Sequence, residues 1–122
     1  MAKGWRILLA DDELHIRLML ATLLKNMGMD VVGEAMNGEE AVRLYRETQP
    51  DLLLMDINMP VKTGDEALRD IMGEFPDARV ILLTSMADLK TVESCLEAGA
   101  YNYLRKDSPM EEIKAAVLEA LA

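Results

Sequence analysis

Five short aliphatic runs, each followed by a longer stretch with apolar residues at helical spacing, constrain this chain more than any other feature. Ile7 to Ala10 reads as a buried strand. From Glu13 to Met27, the residues Ile16, Met19, Leu20, Leu23, Leu24 and Met27 recur with helical period, and Gly28 stops the pattern. Val31-Val32 opens a second, shorter strand. Asn37 is placed to cap a second helix, with Glu40 three residues on and Pro50 closing it. Asp51 to Met55 is a third strand, and Thr63 with Glu66 predicts a capping box for a helix that Gly73 and Pro76 end. Arg79 to Leu83 is a fourth strand, followed by a helix from Asp88 to Ala98 with Gly99 beyond it. Tyr101 to Arg105 is the fifth. Ser108-Pro109-Met110-Glu111 predicts a helix with Ser108 as cap and Pro109 in its first position, and with Met110, Ile113, Val117 and Leu121 on one face. Strands alternating with helices of this length require right-handed crossovers. The expected fold is therefore α/β: one doubly wound parallel sheet of five strands with five helices, in a single domain spanning 1–122. Continuous aliphatic strands agree with a sheet covered on both faces.

Composition narrows the function classes. Aromatic residues make up only 4% of the 122, so the core must be aliphatic and Met-rich. A formal net charge of −9 opposes binding to nucleic acid, where Lys and Arg must neutralise phosphates, and to anionic membrane. The single Cys95 forms no intramolecular disulfide. Runs such as Leu52-Leu53-Leu54-Met55 are too short to span a bilayer, and no signal-peptide pattern precedes the first strand. The expected setting is cytoplasmic.

In an open parallel sheet, ligands bind beyond the carboxyl ends of the strands. The residue after each aliphatic run is therefore the informative one. Asp11 and Asp12 follow the first strand, Asp56 the third, and Lys106 the fifth, while Thr84 ends the fourth. The second ends in Gly33-Glu34-Ala35, which suits an edge strand away from the site. Three converging carboxylates repel one another and need a cation, a raised pKa or distance. An oxygen-only donor set suits a hard divalent ion such as Mg2+, and no second His or Cys offers a zinc-type site. The set also matches phosphoryl transfer: Asp56 as nucleophile, Thr84 as hydroxyl donor, and Lys106 as a point charge on phosphate. Nucleotide-cradling glycine motifs are absent, and Asp56-Ile57-Asn58 lacks the second acid that a paired-aspartate phosphatase would use.

These residues resemble the receiver domain of two-component response regulators over the whole chain. The matching pieces are Leu8-Leu9-Ala10-Asp11-Asp12-Glu13, Leu53-Leu54-Met55-Asp56-Ile57-Asn58-Met59-Pro60 with Gly64, Val80-Ile81-Leu82-Leu83-Thr84-Ser85, Ala98-Gly99-Ala100 and Tyr103-Leu104-Arg105-Lys106. The resemblance implies a flavodoxin-like sheet of order 2-1-3-4-5. It implies that Asp56 accepts a phosphoryl group from a sensor histidine kinase or phosphotransfer protein. Asp11, Asp12, Asp56 and the carbonyl of Asn58 would hold Mg2+, and Thr84 and Lys106 would bind phosphoryl oxygens. Tyr103 would be the switch aromatic, reorienting with Thr84 to reshape the surface of the fourth helix, fifth strand and fifth helix. An output protein or C-terminal effector domain is implied, and a phosphorylation-dependent dimer is allowed. The family often has Pro after the Lys; here it is Asp107, so a trans bond or local strain is expected.

Simpler readings compete. Asp12 is placed to cap the first helix, Thr84 to bond backbone, and Tyr103 to fill core. His15 is expected on the surface, Cys95 as a packing residue, and the Met residues mostly as core filler, with Met86 and Met110 near the output face. Two functional alternatives stand beside the switch: a degenerate receiver that binds protein without cycling phosphate, and a Mg2+-dependent hydrolase of the same topology.

Overall fold

A computed structural model describes residues 4–85 and 89–122. The elements run β1 (Arg6–Ala10), α1 (Leu14–Asn26), β2 (Asp30–Ala35), α2 (Gly38–Thr48), β3 (Leu52–Asp56), α3 (Gly64–Glu74), β4 (Val80–Thr84), α4 (Leu89–Glu97), β5 (Asn102–Arg105) and α5 (Met110–Leu121). All four strand pairings are parallel, in the order β2-β1-β3-β4-β5. β2 is an edge strand, as its plain carboxyl end predicted.

Side-chain alternation divides the core into two layers. Leu8, Leu53, Met55 and Leu82 face Ala41, Leu68, Ile71, Val92 and Cys95 of α2, α3 and α4. Ile7, Leu9, Leu54 and Leu83 face Leu20 and Leu24 of α1 and Ile113 and Val117 of α5. Each strand thus supplies alternate residues to opposite layers, which is why the runs are aliphatic throughout. Cys95 is fully buried, as expected of a packing residue. Among the described residues, no helix is long and apolar enough to cross a membrane.

Several local expectations hold and several shift. Asn37 accepts the Glu40 N–H at 2.8 Å and caps α2. Glu66 accepts both the N–H and the hydroxyl of Thr63 at the start of α3. Gly73 does not end α3, which runs one residue further, to Glu74. At α5 the start moves by one residue: Pro109 is the cap and Met110 the first helical residue, with no side-chain cap bond. The Ser108 N–H closes a turn onto the Arg105 carbonyl at 3.0 Å, and the Pro109 carbonyl accepts the first helical N–H groups, from Glu112 and Ile113. Met110 is 41% exposed and does not share the buried face of Ile113, Val117 and Leu121. The start of the fourth helix at Asp88 and the placement of Met86 lie outside the described residues.

Candidate functional site

Parity sets the site. Asp11 continues the Ile7–Leu9 side of β1, Asp56 the Leu52–Leu54 side of β3, and Lys106 the Leu104 side of β5. All three therefore project toward the α1–α5 layer, Asp56 from the last residue of β3 and Asp11 and Lys106 from just beyond β1 and β5. Lys106 Nζ lies 3.0 Å from Asp11 Oδ2, 3.0 Å from Asp56 Oδ2 and 2.8 Å from Glu13 Oε1. The ammonium is buried among them, with 9% of the side chain exposed. Asp11 and Asp56 are also buried, whereas Asp12 is exposed at the mouth.

The electrostatics follow from this packing. Burial pushes the Asp56 carboxyl above its ordinary value; Lys106 and the Asn58 N–H pull it down, while Asp11 adds to the rise. Burial alone would lower Lys106, but the close contacts of its ammonium with the Glu13, Asp11 and Asp56 carboxylates outweigh it, so the group sits well above the usual lysine range and stays charged. The hydrogen bond from Lys106 holds Glu13 below its ordinary value. One lysine thus faces three carboxylates, and the site carries excess negative charge.

That excess fits a divalent cation. One carboxylate oxygen from each of Asp11, Asp12 and Asp56 lies within 4.8 Å of the others. Asp11 Oδ2 is buried and makes no hydrogen bond, despite its ion-pair contact with Lys106. An acidic oxygen without a well-aligned donor, in an oxygen-only set, is what a hard cation with retained waters would satisfy. Asn58 is exposed, and its N–H donates to Asp56 Oδ1 at 3.2 Å. Asp12 does not cap α1: the cap residue is Glu13, with no side-chain cap bond, and the Glu13 N–H donates to Asp11 Oδ1 at 2.8 Å.

Thr84 is buried at the end of β4 but has the parity of Val80 and Leu82, so it points to the α2–α3–α4 layer. It pairs in register with Arg105, and Leu82 pairs with Tyr103. Thr84 and Tyr103 therefore share one face of neighbouring strands, two positions apart. Tyr103 is half-buried against the layer containing Val92 and Cys95. The Lys106–Asp107 peptide is trans, and Asp107 pairs with Arg105 at 3.0 Å. His15 is on the surface, 75% of its side chain exposed.

Two residues at the site were not singled out from the sequence. Glu13 completes the coordination of the Lys106 ammonium; its position directly after Asp11-Asp12 was the only signal. Arg17 is a buried charge: its Nη1 donates to the Asp11 carbonyl at 2.6 Å, and its Nε donates to Glu34 Oε1 at 3.1 Å. The signal for Arg17 was a charge set into the buried stripe, three residues before Leu20 and seven before Leu24.

The profile of the response regulator receiver domain matches residues 7–118. The chain belongs to the response regulator receiver domains. It is 42% identical to Protein CcdB of Bacillus subtilis over 117 residues, covering 96% of this chain and 94% of that protein. It is 39% identical to the chemotaxis protein CheY of Thermotoga maritima over 103 residues, covering 84% and 86%. In structure it is similar to a chain of the CheX–CheY–BeF3–Mg2+ complex from Borrelia burgdorferi, with a TM-score of 0.93, 27% identity, and coverage of 97% and 90%. It spans about half the length of other curated relatives, transcriptional regulators of Bacillus subtilis. Receiver domains act in two-component signalling and bind Mg2+ through an acidic cluster, and Asp11, Asp12 and Asp56 form such a cluster in this receiver. Receiver domains interact with histidine kinases or phosphotransfer proteins and with output domains.

Proposed function

We propose that residues 1–122 form one phosphoacceptor unit, working in the cytoplasm, in which Asp56 takes a phosphoryl group from a histidine kinase or phosphotransfer protein. The observation that carries this reading is the buried Asp56 carboxylate held at 3.0 Å from Lys106 Nζ, inside an acidic cluster whose oxygens lie close enough together to share a cation. An Asp56 carboxylate oxygen attacks phosphorus, an O–P bond forms, and the donor's N–P bond breaks with its electron pair going to that nitrogen; the donor ring, already protonated at its other nitrogen, leaves as neutral imidazole. Asp11, Asp12, Asp56 and the Asn58 carbonyl would hold Mg2+, which supplies charge neutralisation on the phosphoryl oxygens. Lys106 holds its proton and offers a fixed positive charge to one phosphoryl oxygen. Thr84 must turn its hydroxyl across the end of β4 to reach another, and this vacates space on the face it shares with Tyr103. Tyr103 then moves inward, and the surface of α4, β5 and α5 changes for an output partner, a second copy of the chain or a following effector domain. Incubation with acetyl phosphate and Mg2+ tests this: a phosphorylated protein of finite lifetime is expected. No modification would support the phosphate-independent binding module, and steady release of phosphate without a trapped intermediate would support a hydrolase.

A further inference from the structure

The loop between β3 and α3, residues 57–63, carries Asn58 and contains a strained turn. Val61 sits in the left-handed region with φ of 68° and is 76% exposed. A β-branched residue there is strained, and burial of its own side chain does not offset the cost. Within the loop, the Lys62 N–H donates to the Pro60 carbonyl at 2.8 Å and closes a three-residue turn around Val61, a strained type of turn that gains from a brace outside the loop. The Gly38 N–H, at the first residue of α2, donates to the Lys62 carbonyl at 2.8 Å, immediately after the strained residue. At the far end of the loop, the Gly64 N–H donates to the Ile57 carbonyl at 2.7 Å. A Cβ built on Gly38 would lie 2.2 Å from the Lys62 carbonyl oxygen and 2.8 Å from that of Thr63. Both are backbone atoms, so no rotamer change relieves the clash. Gly38 is not among the glycines with positive φ, so it is the missing side chain and not conformational freedom that matters. The start of α2 is itself braced: Asn37 accepts the Glu40 N–H, and Glu40 accepts the Met36 N–H at 3.0 Å. The helix start is therefore a rigid stop against which the loop rests.

We propose that Gly38 is a positioning residue for the cation site: by direct backbone contact with Lys62, it sets the β3–α3 loop so that Asn58 is presented beside Asp56. This rests on the reading of Asp11, Asp12, Asp56 and the Asn58 carbonyl as the Mg2+ site. Helix propensity alone makes the opposite prediction, because Ala is the better helix former and Gly38→Ala would then be harmless or stabilising.

The test uses the full chain and Mg2+ alone, followed by amide chemical shifts. Gly38→Ala should keep the parental far-UV circular dichroism, shift the amides of residues 57–63, and weaken Mg2+ by ~10–100-fold, the range seen when residues supporting metal ligands are removed. Gly73→Ala, on α3 where an added Cβ meets nothing within 4 Å, should bind as the parent does. Hydrogen exchange of the Gly38 amide in the unmodified protein gives a second readout that needs no variant: saturating Mg2+ should slow it, because the loop is then held at both ends. Parental Mg2+ affinity in Gly38→Ala, or unchanged Gly38 exchange on saturation, would overturn the proposal. Failure of the parent itself to bind Mg2+ would instead overturn the site reading.

Discussion

Replacing Asp56 by Asn should make the metal-free protein more stable. The substitution removes a buried charge and keeps the shape. At an effective dielectric near 20, Asp56 repels the equally buried Asp11, whose oxygen lies within 4.8 Å, by roughly 3.5 kcal/mol or more. The Lys106 contact at 3.0 Å attracts by roughly 5.5 kcal/mol. About 2 kcal/mol of net attraction is therefore lost, while a desolvation cost of several kcal/mol disappears. Lys106 is not orphaned, since Asp11 and Glu13 remain within 3.0 Å and 2.8 Å. The balance is a gain of roughly 1–3 kcal/mol, or about 4–12 °C in melting temperature for a domain of this size. The raised pKa of Asp56, caused first by burial, has the same sign. Because the folded value lies above the unfolded one, the cost of the charge is fully present above the folded pKa. It fades as pH falls through the window between that raised value and the ordinary 3.8. In thermal melts in EDTA at neutral pH, the Asp56→Asn variant should melt above the parent, and the gap should narrow in acid. Added Mg2+ should raise the parent more than the variant. A variant less stable than the parent in EDTA at neutral pH would refute the claim that the site is over-charged.

Three further outcomes follow from named contacts. Arg17→Met should destabilise the fold by roughly 1–3 kcal/mol in urea titration, because the buried Asp11 carbonyl loses its donor; an unchanged midpoint would mean that contact carries no weight. Direct quenching of Trp5 fluorescence by Mg2+ should be small, since six residues of strand put the indole roughly 20 Å from Asp11 and it lines a groove with Pro50, Asp77 and Leu121 at the opposite end of the sheet; a large saturable quench would contradict this placement. Thr84→Ala should still take phosphate on Asp56, but its amide shifts across α4, β5 and α5 with beryllofluoride should be much smaller than the parent's; undiminished shifts around Tyr103 would route the signal elsewhere.

What was legible in the sequence is what strand periodicity controls. Five aliphatic runs place Asp11, Asp56, Thr84 and Lys106 at strand ends, and alternation alone separates Thr84 from the other three. What was not legible depends on approach between distant segments. Nothing within Glu13-Leu14-His15 announces that Glu13 meets an ammonium ninety-three positions away. Gly38 reads as a helix start, and only the fold reveals Lys62 pressed against it. At α5 the motif Ser-Pro-Met-Glu satisfies a local rule, but in the fold Ser108 belongs to the turn that closes on Arg105 and Pro109 is the cap. Arg17 lies between these cases: its place on the buried stripe was visible, and its partners were not.

The most direct test of the phosphoacceptor assignment is intact-mass and peptide-level mass spectrometry after exposure to acetyl phosphate and Mg2+. The parent should gain one phosphoryl group, located on Asp56, and Asp56→Asn should gain none. A gain that persists in Asp56→Asn, or that maps to the exposed His15, would contradict the account.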